Sequence, residues 1–85
     1  MPYIKQQDRE ELDEWGVPKS AGDLNYVIHL ELERYLIEKG ESYQTYNDMI
    51  GALECAKLEL YRRRISKYEA LKAEENGDIS FYKGY

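Results

Sequence analysis

Between Ser42 and Gly77 the apolar residues recur at helical spacing. Wound at about 100° per residue, Tyr46, Ile50, Leu53, Leu60, Tyr61, Ile65, Tyr68 and Leu71 share one broad face, with Met49 and Ala56 at one margin and Leu58 at the other. Glu59, Arg62, Arg63, Ser66 and Glu69 take the opposite side. The pattern predicts one amphipathic helix over about 43–76, whose apolar face needs a partner. Thr45 and Asp48 have capping-box spacing, and Ser42 is a rival N-cap one turn earlier. Asn76-Gly77 is the stop, because glycine takes a positive φ at a helix C-terminus without a Cβ clash.

Upstream, Ser20 to Asp23 repeats the capping spacing and opens a medium helix over about 22–39, with Gly40 at its end. That helix has two apolar faces. Leu24, Val27, Ile28, Leu32 and Tyr35 form the main one, and Tyr26, Leu30 and Ile37 form a second, almost opposite. The short 40–42 turn predicts that the medium and long helices fold as an antiparallel hairpin covering one of these faces. Asp8-Arg9-Glu10-Glu11 has the spacing to open a short helix over about 8–14, anchored by Leu12 and Trp15 and ended by Gly16-Val17-Pro18. Pro2 favours an extended start that lets Tyr3 and Ile4 dock. After Gly77 the alternating aromatic residues predict an extended C-terminal arm, docked in cis or across a dimer. The expectation is an all-α fold in a single small domain over residues 1–85.

The long helix overshoots its partner. At 1.5 Å per residue, a helix of about 30 residues reaches about 45 Å, against about 26 Å for one of about 17. Its distal half, which carries Tyr68 and Leu71, therefore calls for the N-terminal helix or a second chain. A homo-oligomer is the default expectation. Its interface is assigned to Tyr26, Leu30, Ile37, Tyr68, Leu71, Phe81 and Tyr82.

Glu54, Lys57 and Arg64 project into the apolar stripe, where a charge is costly unless paired or wet. One reading makes them structural, as snorkelling stems or an ion pair fixing helix register, with Glu31 of the medium helix as a further partner. The other makes them an anion site, with Lys57 and Arg64 supplying charge, Tyr61 a hydroxyl or stacking face, and Glu54 alongside.

Composition narrows the function classes. The 85 residues include 34% charged side chains and carry a net charge of −5, which disfavours nucleic acid as a partner. A single cysteine, Cys55, excludes an intramolecular disulfide, fits a cytoplasmic location and is expected in a secondary contact near Ala52. No apolar run has the length of a membrane span or signal peptide. Nine tyrosines against one Phe and one Trp suit half-buried contacts and interfaces. Phosphate-loop, dinucleotide and zinc motifs are missing, and the lone His29 sits at the edge of a helix stripe. Glu38 and Glu41 form an E-x-x-E pair, but it straddles Gly40 and has no matching carboxylate pair on the long helix. The chain reads as a non-enzymatic interaction protein with no catalytic residues, no metal and no cofactor. The alternative is a binder of a small anionic ligand.

The residues PYI at 2–4, LNYVI at 24–28, NDMIGALECAKLELYRR at 47–63 and ENGD at 75–78 carry a resemblance. The chain resembles a family of small uncharacterised helical proteins of bacteriophage, bacterial and environmental genomes. That resemblance implies a small stand-alone helical protein and brings no activity with it. The expected shape is also similar to that of small phage hairpin proteins that sequester cyclic nucleotides. By that analogy Lys57, Arg64 and Tyr61 would hold phosphate while Tyr46 or Tyr68 stacks on bases.

Overall fold

Serines and glycines mark most of the points where the helical runs start and stop. The computed structural model describes residues 4–14 and 16–83, so the expectations for Tyr3, Trp15 and the last two residues fall outside it. Among the described residues all regular structure is helical: α1 Gln6–Asp13, α2 Ala21–Lys39, α3 Tyr43–Leu60, a π-helical turn Tyr61–Ile65, and α4 Ser66–Asn76. The all-α class expected from the sequence stands. The contacts divide the chain into two units, Met1–Met49 and Ile50–Tyr85.

In the first unit α1 packs on α2, and Leu12 is buried at 8% exposure, as its place in the pattern predicts. Burying one such side chain stabilises by about 1.5–3 kcal/mol. The Tyr26 hydroxyl ties the two helices together by donating to Asp13 Oδ1 at 2.8 Å. Gly16 ends α1 through an N–H donated to the Glu11 carbonyl at 2.9 Å. A Cβ at Gly16 would lie 2.5 Å from that carbonyl oxygen, so no other residue fits there without a shift.

The helix starts follow the sequence at α2 and α3 and depart from it at α1. Ser20 caps α2 as expected, its Oγ accepting from Asp23 N–H at 3.1 Å, and Asp23 Oδ2 accepts from Lys19 N–H at 3.1 Å. At α3 the rival cap wins. Ser42 Oγ accepts from Thr45 N–H at 3.1 Å, while Thr45 is buried with its hydroxyl 3.0 Å from that of Ser42. At α1 the helix starts at Gln6, two residues before the expected box. Lys5 occupies the cap position without a side-chain bond, and Asp8 lies in the first turn. There its charge favours the positive end of the helix dipole in place of a cap.

Gly40 and Gly77 close α2 and α4 at φ 81° and 82°, a region that costs any side chain strain. Beyond Gly77 the chain departs from the expected extended arm. Asp78 Oδ1 accepts from Ile79 N–H at 2.8 Å, and Tyr82 N–H donates to the Ile79 carbonyl at 3.1 Å. Residues 80–83 form a turn. The local side-chain bond to Asp78 and the backbone bonds of the turn compete with extended backbone, and here they win.

Candidate functional site

The second unit holds the residues singled out for binding, and its helix is not uniform. The backbone remains helical through Leu60, Ile65 and Ser66, but Ser66 N–H reaches back five residues to the Tyr61 carbonyl. Ser66 Oγ also donates to the Arg62 carbonyl at 2.8 Å, drawing off an acceptor that a regular α-helix would use. Such a turn holds one residue more than an α-turn, so everything beyond it is set back by about 100°. The single stripe expected from a constant period is therefore corrected. Tyr68 and Leu71 stand about 100° away from the line that Ile50 and Leu53 would extend, whereas Leu60 comes into line with Tyr68.

One bond reports this change of register. The Tyr61 hydroxyl donates to Glu69 Oε1 at 2.7 Å, eight residues on. In a regular helix those two positions stand about 80° apart, and with one extra residue they come within about 20°. The bond to Glu69 raises the Tyr61 pKa above its ordinary value, since the neutral phenol is the form that donates.

The charges around this turn are strongly segregated. Lys57, Arg62, Arg63, Arg64 and Lys67 stand against Glu59 alone, whereas Glu69, Glu74, Glu75 and Asp78 stand against Lys72 alone. Arg63 pairs with Glu59 at 3.3 Å, and Lys72 pairs with Glu75 at 3.1 Å. The Lys72 ammonium also sits 5.5 Å from the centre of the Tyr68 ring. A shallow groove is lined by Arg63, Arg64, Ile65, Lys67 and Tyr68, and a neighbouring one by Glu59, Leu60 and the same cations. Arrangements of this kind can take an anion, or an acidic surface with an apolar patch beside it.

Glu54 and Lys57 pair with each other at 3.1 Å, both largely exposed, where such a pair contributes about 0–1 kcal/mol. The Tyr61 hydroxyl is engaged by Glu69, and Arg64 lies in the groove with Tyr68. Glu31 pairs with Arg34 at 3.0 Å on α2 itself. Among the interface candidates, Tyr68, Leu71, Ile37, Phe81 and Tyr82 are exposed, Phe81 and Tyr82 packing edge to face at 5.0 Å. Tyr26 and Leu30 are half-buried, Tyr26 bonded to Asp13 and Leu30 beside Leu12 in a groove. Cys55, expected in a secondary contact, is exposed. His29 is exposed, with Nδ1 2.8 Å from the Asn25 carbonyl. The sequence pattern gives no sign of Arg63, Lys67 or Glu69, because a constant helical period puts Arg63 and Glu69 opposite the apolar face.

These features define a small all-α protein whose candidate site is an exposed face of one long helix, part apolar and part charged. No helix among the described residues is long and apolar enough to cross a membrane. The chain belongs to the family described as a domain of unknown function (DUF6899), whose model matches residues 1–79. No curated protein and no solved structure matches it.

Proposed function

We propose that the chain is a non-enzymatic interaction protein that works as a homo-oligomer through the exposed face of its long helix. One observation carries this reading. In the unit Ile50–Tyr85 no second helix packs on the first among the described residues, yet Leu60, Tyr68 and Leu71 are 56%, 61% and 51% exposed. A helix gains most of its stability in proteins from packing an amphipathic face. A partner that covers those side chains supplies the missing term, at up to about 1.5–3 kcal/mol for each one fully buried. The hairpin of α2 with the long helix, a single domain over the whole chain, and an interface extending to Ile37, Phe81 and Tyr82 belong to the same proposal.

Native mass spectrometry on gently purified protein, with sedimentation equilibrium at several concentrations, tests it. The expected result is a mass of two or more whole chains of 10.1 kDa. A single-chain mass at every concentration overturns the reading.

A second reading, the small-anion or nucleotide binder, draws support from the groove where Arg63, Arg64 and Lys67 meet the Tyr68 ring. It shares Arg64 with the site expected from the sequence and replaces Lys57 and Tyr61 with neighbours not bonded to Glu54 or Glu69. The same spectrum decides it. Extra mass of about a few hundred daltons, the scale of a small ligand, lost on denaturation, favours it.

A further inference from the structure

Resting on that self-association reading, the geometry around the π-helical turn also points to how two copies meet. Take Tyr68 as the reference direction on the helix. Leu71 then lies about 60° to one side, Glu75 within about 20° and Arg64 within about 40°. Leu60 would be about 80° off in a uniform helix and is brought to about 20° by the extra residue of the turn. One face thus carries, in order, Leu60, Arg64, Tyr68, Leu71 and Glu75. It has an apolar centre, a cation on one side and a carboxylate on the other.

We infer that two copies pair this face antiparallel about a two-fold axis between Glu69 and Ala70, setting Tyr68 of each against Leu71 of the other and Arg64 of each against Glu75 of the other. Direction is decided by charge. The basic run 57–67 and the acidic run 69–78 lie on opposite sides of that axis, so antiparallel copies set plus against minus at both ends. Parallel copies would stack like on like. The margins agree with the centre. Lys67 and Glu74 lie on one margin, Lys72 and Glu69 on the other, and a two-fold axis keeps each margin facing its own kind. Lys67 therefore meets the partner's Glu74, and Lys72 meets the partner's Glu69.

The occupant is a second copy because the face is complementary to itself, which is what a closed two-fold interface requires. Glu75 already accepts from Lys72 at 3.1 Å and has a second carboxylate oxygen for an arriving guanidinium. Tyr68, Leu71 and Leu60 are exposed and available for burial.

Charge reversal with the full chain tests the pairing, read by sedimentation equilibrium, with circular dichroism confirming retained helicity. Arg64→Glu alone and Glu75→Arg alone each place two like pairs in the interface and should weaken self-association by at least about tenfold. The double variant R64E/E75R restores both pairs and should associate within about threefold of the parent, a small residual change in a coupled pair. An equimolar mixture of the two single variants should likewise recover, as a heterodimer. Single variants that associate like the parent overturn the inference. So does a helical double variant as weak as the singles. A parent that is monomeric throughout overturns the self-association reading itself, whereas an oligomer indifferent to these reversals overturns the antiparallel pairing alone.

Discussion

Four tyrosines end on carboxylates, and each bond joins residues apart in sequence: Tyr26 to Asp13, Tyr35 to Asp48, Tyr46 to Glu41 and Tyr61 to Glu69. In Tyr26, Tyr46 and Tyr61 the bond to the carboxylate is the main cause of a raised pKa, and in Tyr35 it is burial of the phenol. A raised phenol pKa favours the neutral form in the fold. Its contribution is complete below the ordinary value of 10.0 and is lost as pH rises through the folded value. An alkaline titration followed by phenolate absorbance should therefore show a late fraction, and Tyr61→Phe should remove part of it while leaving neutral-pH helicity unchanged. Amplitude lost from the ordinary fraction in Tyr61→Phe, with the late fraction intact, would mean that the Glu69 bond does not hold in solution. Two positions at helix ends are sharper still. Gly16→Ala drives a methyl against the Glu11 carbonyl and should cost about 1–3 kcal/mol by thermal or urea unfolding. Ser20→Ala removes the α2 cap and should cost about 1 kcal/mol.

Among the elements, the π-helical turn is the one that resets the rest. It carries one residue beyond an α-turn, so removing that residue straightens the helix without changing which faces align. Deleting Arg63 should keep Leu60, Tyr68 and Leu71 on one side, keep the Tyr61–Glu69 bond, and raise the melting temperature of the helical signal. Loss of the late-titrating phenol in that deletion would show that the register is set elsewhere. A constant 100° step reads the two halves of this helix correctly, each by itself. It fails across the join, because Ser66 diverts the Arg62 carbonyl and no residue type at 61–65 announces the change.

At the scale of the whole molecule, the net charge of −5 hides a division within it. The residues 57–67 are basic inside an otherwise acidic chain, which is a better basis for self-recognition than for binding a polyanion. Association that depends on this division should weaken as salt rises from about 0.05 to 0.5 M, where the screening length falls well below the spacing of exposed charges. Sedimentation at the two salt concentrations measures it. Association that strengthens with salt would assign the interface to apolar contacts in place of charge.

The sequence by itself determined the local punctuation. The all-α class, the stops at Gly40 and Gly77, the Ser20 cap and the burial of Leu12 are legible because each depends on residues within a turn or two of chain. The choice of Ser42 over Thr45 was within reach only as a pair of rivals, since both hydroxyls suit a cap and Thr45 was taken by burial. The structure alone decided the π-helical turn, the turn over 80–83 and the tyrosine–carboxylate bonds. Each is settled by competition among hydrogen bonds of similar strength, about 1 kcal/mol apiece, which residue type and spacing leave nearly balanced. Of the residues expected in an anion site, Lys57 pairs with Glu54, Tyr61 with Glu69, and Arg64 lines a groove beside Tyr68, the last two placed by how the helix winds through its π-helical turn rather than by residue type.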